Sequence, residues 1–346
     1  MRNLPAELMH DDIDVYGLNG TVLCDSAALG IPTDVALLGS YLAVIDLASD
    51  SVLHIIDIES GQIVGQFGRR GEGPGEFKSA WSLATVAHDT SAVWVYDVAL
   101  RRLTLVDIPL SLQNQRLHAK AMISLQSPGV PTGPLWIDSQ TVASLGFYSE
   151  GRIRLFDSNG QSVGLIGATP GSASHVEPAT MQHVYQGTLV RHPTRGMLAA
   201  VTRHASIVEV YGTDGKQVFR TTGPVPFEPM YGIRSRGNGT SMVSGPDLRF
   251  GYVDACADSG AIYALFSGRT RAGYPQSSFT GRYVHVFLWD NGRFEMAMKL
   301  DADAISIAVD TVSSTLFAVR HNPTPAIVSF PLQLHRRVAT TNDPDP

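Results

Sequence analysis

The stretch Phe67-Gly68-Arg69-Arg70-Gly71-Glu72-Gly73-Pro74-Gly75-Glu76-Phe77 decides how this chain folds. Four glycines and a proline stand between two segments rich in strand-forming residues. Such a stretch has to reverse the chain over a crowded face. Gly71, Gly73 and Gly75 permit left-handed backbone and Pro74 fixes one φ. Phe77 is expected to wedge between neighbouring sheets. The stretch lacks a Gly-Lys-Ser/Thr ending and no helix is expected after it, so it does not read as a phosphate-binding loop.

Outward from this crossing the same unit recurs. Apolar runs read Leu42-Ala43-Val44-Ile45-Asp46, Val93-Trp94-Val95-Tyr96-Asp97 and Val142-Ala143-Ser144-Leu145-Gly146. They continue as Leu198-Ala199-Ala200-Val201-Thr202, Ile262-Tyr263-Ala264-Leu265-Phe266 and Leu316-Phe317-Ala318-Val319-Arg320. Their starts are about 50 to 65 residues apart, close to the period of four-stranded propeller blades. A third strand follows most of them, as in Val52–Asp57, Leu103–Asp107 and Ile207–Tyr211. Then come Ser60-Gly61, Asn159-Gly160, Asp214-Gly215 or Asn291-Gly292, dipeptides suited to two-residue hairpin turns. No amphipathic helix is expected.

Six such runs predict an all-β, six-bladed β-propeller of four-stranded antiparallel blades. The last strand, Ala326–Phe330, is followed by no Asn-Gly turn and no fourth strand. The N-terminal segment, about 13–24, is free to complete that blade, as one strand or two, and so to close the ring and cover an open edge. The expected organisation is one propeller domain over 1–338 and a flexible tail over 339–346.

The 346 residues carry 32 acidic and 26 basic side chains, for a net charge of −6. Only four of the bases are lysines: Lys78, Lys120, Lys216 and Lys299. This balance argues against a general nucleic-acid binder, which needs a basic face. Cys24 and Cys256 are too few and too distant for a disulfide framework. No run is apolar and long enough for a membrane span. The chain as written begins without an apolar signal region, which on its own points to the cytoplasm.

The crossing, the strand ending in Asp97, and Arg101-Arg102 before the third strand resemble NHL-type repeats, and more specifically the TolB-like six-bladed propellers of bacteria. Asp46 and Asp97 match the strand-ending acid of that pattern, and Arg101 or Arg102 its basic position. The motif-level likeness covers residues 31–108; beyond that only the strand rhythm continues, with Gly167–Ser172 as a faded second crossing. The resemblance implies export or a periplasmic location and a binding role without an assigned activity.

By analogy with other propellers, ligands are expected at the central channel or on the face carrying the outer-to-inner crossings. The loops of that face hold Arg69, Arg70, Glu72, Asp97, Arg101, Arg102, Arg203, His204, Arg269, Arg271 and His321. Trp81, Trp136, His183, Tyr185 and Arg249 lie near expected inner strands. The candidate ligand-binding set is Arg69, Arg70, Trp81, Asp97, Arg101, His183, Arg203, His204 and Arg249. A mildly cationic pocket of this kind suits a polar or anionic ligand, or a protein partner. No cofactor, metal or catalytic residue is assigned, and nucleic acid is not expected.

The alternative is a metal-dependent lactonase- or lyase-type hydrolase, with Ca²⁺ or Zn²⁺ held in the channel. Asp34 and Asp254 are the acids available to a hard cation. His175, His183, His192 and His204 are the histidines available to zinc, but they crowd into one blade. No Gly-x-Ser-x-Gly elbow is present.

Overall fold

A computed structural model describes residues 10, 13–171, 176–236 and 239–332. Six four-stranded antiparallel sheets stand around a central axis. Their inner strands are Pro32–Leu38, Ala80–Val86, Val130–Trp136, Gly187–Arg191, Tyr252–Ala257 and Ser306–Asp310. Each inner strand abuts the next, and that of blade six abuts that of blade one, so the ring is closed. The predicted six-bladed propeller is the observed fold.

The N-terminal segment supplies two strands, and they go to different blades. Thr21–Cys24 pairs antiparallel with Ala326–Pro331 and is the outer strand of blade six. Val15–Leu18 runs parallel to Phe294–Ala304 and adds a fifth strand to blade five. The ring is therefore latched across two blades by one short piece of chain.

The core is divided into wedges between adjacent blades. Phe77 is almost fully buried in the wedge between blades one and two, against Ala36, Ile45, Val93 and Val95. Trp94 stacks on Trp136 between blades two and three, with ring centroids 5.3 Å apart. Blades three and four are joined by a buried ion pair, Arg152 Nε to Glu209 Oε2 at 3.0 Å. The turn glycines Gly61, Gly160, Gly215 and Gly292 all take positive φ, as their dipeptides predict.

The glycine-rich crossing is a compact structural unit. Gly68, Gly71 and Gly75 have positive φ. Gly73 does not; its N–H instead donates to Glu76 Oε2 at 3.0 Å. Arg102 reaches back and donates to the carbonyls of Glu72 (3.0 Å), Gly73 (3.2 Å) and Glu76. Asp97 accepts from the backbone N–H groups of Lys78 (2.6 Å), Ser79 (3.1 Å) and Leu100 (3.0 Å). Asp46 does the same for Gly30, Ile31 and Ala48 at the entry to blade one. The acid ending a second strand thus pins the crossing that enters its own blade.

Two short helices depart from the all-strand expectation. Ile108–Asn114 is inserted before the outer strand of blade two, with Asp107 as its N-cap accepting from Leu110 N at 2.8 Å. Pro178–Val184 precedes blade four and packs with the hairpin Gly232–Arg236/Gly239–Val243 through Val176, Met181, Val184, Ile233 and Met242. Residue 175 and the tail 339–346 lie outside the described residues.

Candidate functional site

The inner strands surround a channel of about 740 Å³. Antiparallel pairing puts the start of each inner strand level with the end of its second strand. One mouth of the channel is therefore built from Asp34, Trp81, Thr132, Thr188, Asp254 and Ser306, together with the loops carrying Arg203, Phe279 and His321. Arg191 closes an inner strand and marks the other end.

Local irregularity helps to build this mouth. The register shifts between Pro32 and Asp34, between Ala80 and Ser82, and between Tyr252 and Asp254. Each shift is a bulge one residue into an inner strand, and bulges re-aim side chains. Trp81 sits in one of them and stays 50% exposed on the channel wall.

Asp34 and Asp254 come from blades one and five, with Ser306 of blade six between them. Asp34 accepts from Ser306 Oγ at 2.8 Å, from Leu83 N of blade two at 2.7 Å and from Val35 N at 3.0 Å. Asp254 accepts from Ile307 N at 2.9 Å and, more loosely, from Thr188 Oγ1 at 3.5 Å. Both carboxyls are pushed well above the ordinary carboxylate range. Burial is the main cause, and for Asp34 the Asp254 charge is the next.

Facing Asp254 is Arg203, on the loop after the second strand of blade four. Burial pulls its guanidinium down to about 10, and the nearby Asp254 charge opposes that fall. The two residues are close enough to interact, yet no ion pair joins them. Arg203 Nη1 donates to Gln186 Oε1 at 3.2 Å, and the guanidinium lies 4.9 Å from the centre of the Phe279 ring. Three polar atoms on channel-lining residues have no hydrogen-bond partner among the described residues: Arg203 Nε, Thr33 Oγ1 and Ser82 Oγ.

The expected site residues divide into two groups. Trp81 and Arg203 line the channel mouth. His204 and Arg249 lie on the same side as Arg203. His204 is buried, its Nδ1 donating to Val184 O at 3.1 Å, and its ring meets Phe250 edge-on. Burial, assisted by Arg203 and His183, pulls its pKa down to about 4. Arg249 lies over the Phe227 ring, and its Nε has no partner among the described residues. His183 is exposed on the short helix and tilts against Phe147 of the channel wall at 5.1 Å.

The other candidates are engaged elsewhere. Arg69 pairs with Glu76 at 3.1 Å on the surface, and Arg70 donates to the Leu47 carbonyl. Arg101 donates to Ser127 O at 3.1 Å. Asp97 is fully buried and its carboxylate is taken up by backbone amides. Ser306, Gln186, Thr188 and Phe279 were not singled out by the sequence. The paired position of Asp34 and Asp254, each third in its inner strand, was a signal available in it.

Among the described residues, no three His, Cys, Asp or Glu side chains converge as a metal set. Asp34 and Asp254 do meet, but N–H and O–H donors already occupy several of their lone pairs. None of the helices described is long and apolar enough to cross a membrane.

No curated protein matches the chain. Among solved structures it is similar to a putative exported protein of Bacteroides fragilis NCTC 9343, with 13% identity and a TM-score of 0.56, covering 90% of this chain and 94% of that one. It is also similar to U3-55K, with 10% identity and a TM-score of 0.54, covering 89% and 99%. At these identities the likeness is one of fold. The sequence matches the TolB-like 6-blade propeller-like family over residues 16–311. The chain belongs to the TolB-like six-blade propeller family.

Proposed function

We propose that this protein is a non-catalytic binding propeller that holds a small polar or anionic ligand in the mouth of its channel. The observation that carries this reading is Arg203, a guanidinium on the channel wall that has, among the described residues, no ion-pair partner and an unpartnered Nε. A guanidinium removed from bulk water and left unpaired is costly, and a ligand can relieve that cost. The channel volume is within the range of small-molecule sites, and a few polar groups stand among apolar walls as such sites require. Trp81, lining the same cavity from blade two, offers an aromatic surface to the body of a ligand. An exported location is part of the same reading, supported by family membership and by the description of the Bacteroides fragilis protein as exported.

The test is a thermal-shift screen of small polar and anionic compounds against wild-type protein and a Thr132→Trp variant that fills the channel mouth. Compounds that raise the melting temperature of the wild type and not of the variant support the reading. Compounds that stabilise both equally bind elsewhere and contradict it.

A further inference from the structure

Resting on that channel reading, we propose that the ligand is a small organic carboxylate, bound between Arg203 and the Asp34–Asp254 pair with uptake of one proton. A guanidinium and two acidic side chains face one cavity from blades four, five and one, and the cation is not paired with either acid. A carboxylate entering the gap offers one oxygen to Arg203, the planar donor that matches it best. Its second oxygen then faces an aspartic side chain. Two carboxylates cannot share that position, whereas a carboxyl holding its proton donates to the ligand oxygen.

The protein has prepared for this. Asp34 and Asp254 are already biased toward the protonated form by burial and by each other. A further negative charge beside them raises that bias. Where the free pair has released that proton, binding takes one back from solvent, and carboxylate affinity falls as the pH rises.

The other ionisable groups around the pair do not reproduce this behaviour. Arg203 from blade four and Arg191 at the far end stay cationic. Burial pushes the Cys256 thiol up, so it stays neutral. His204 is held neutral, and Arg269 is paired with Asp303 at 2.9 Å. His321 faces the mouth from blade six, donating from Nε2 to Pro32 O at 2.6 Å, and His183 stands above Phe147. These two histidines are the groups that the test has to separate from the pair.

The experiment is calorimetric titration with benzoate and with phenylacetate, each compared with its neutral amide. Titrations run at mildly acidic and mildly alkaline pH, in buffers of different ionisation enthalpy. The carboxylates are expected to bind and the amides to bind at least about tenfold more weakly. Carboxylate affinity is expected to fall by about tenfold or more across the pH range, with little proton uptake at the acidic end and close to a proton per ligand at the alkaline end. Arg203→Gln abolishes binding at both pH values. Asp254→Asn weakens binding at acidic pH and flattens its pH dependence, while His321→Gln and His183→Gln leave the pH dependence in place. Equal binding of acids and amides, or a pH-independent affinity, overturns the carboxylate assignment and leaves the channel reading standing. If neither set binds and the Thr132→Trp variant behaves as wild type towards every compound that does, both readings fall.

Discussion

Ser306 Oγ donates to Asp34 Oδ1 at 2.8 Å, joining two residues 272 positions apart. The bond crosses the seam between the last blade and the first. The contact that positions an acid at the channel mouth is thus also one that ring closure creates. Binding and closure should therefore be coupled, and the predictions below separate them.

Removing residues up to Cys24 should expose the outer edge of blade six and strip the parallel strand from blade five. An open edge pairs readily with other chains. The truncated protein is expected to melt at lower temperature and to self-associate, as light scattering would register. A truncated protein that stays monodisperse and melts as the full chain does would refute the two-blade latch.

Asp97→Ala should destabilise without changing the channel. The substitution strands the N–H groups of Lys78, Ser79 and Leu100. A loss of about 2–3 kcal/mol is expected in denaturant unfolding, since buried donors left unpaired are expensive. Compound binding at the channel should match wild type at temperatures where the variant is folded. Loss of binding with unchanged stability would return Asp97 to the ligand set.

Arg152 and Glu209 should behave as a buried pair. Arg152→Met alone leaves the buried Glu209 with only a distant partner between blades three and four, the half-exposed Arg220 at 4.0 Å. It should cost about 3 kcal/mol or more, while the double substitution Arg152→Met/Glu209→Met should cost less than either single one. Additive losses from the two single variants would show that the pair does not act as a unit.

Two buried sites should pull stability in opposite directions over the same mildly acidic pH range. His204 in the fold has a pKa of about 4 against an ordinary 6.5. Between those values the unfolded chain binds a proton that the folded chain refuses. The stabilisation is therefore whole above the ordinary value and drains away as pH falls, by up to about 3 kcal/mol. Asp34 and Asp254 act in the opposite sense. Their raised folded pKa values mean that the fold holds a proton the unfolded chain has released, so stability is lost as pH rises above the ordinary carboxylate range. In melting curves against pH, His204→Gln should make stability drop more steeply as the pH rises from about 4 to about 7, and Asp34→Asn should make it drop less steeply. A slope over that range unchanged in Asp34→Asn would contradict the assignment to the pair.

The fold was legible in the sequence because its signals are local. The second strands, the glycines at 61, 160, 215 and 292 and the crossing at 67–77 each act over a few residues. The helix Pro178–Val184 was not legible, since fewer than two turns leave no measurable period. The site was half legible. Arg203 and Trp81 stood out as residue types, but nothing local marks Ser306 or Gln186. Their role comes from the ring, which brings the starts of the six inner strands to one mouth. Asp97 misled for the converse reason. An acid at a strand end beside arginines looks the same in sequence whether it binds a ligand or caps its own crossing.

The most direct measurement is a crystal of the protein soaked with para-bromobenzoate and recorded at the bromine edge. The account predicts anomalous density in the channel mouth, with the carboxylate on Arg203 and the ring beside Trp81. Bromine density outside the channel, or a carboxylate turned away from Arg203, would contradict it.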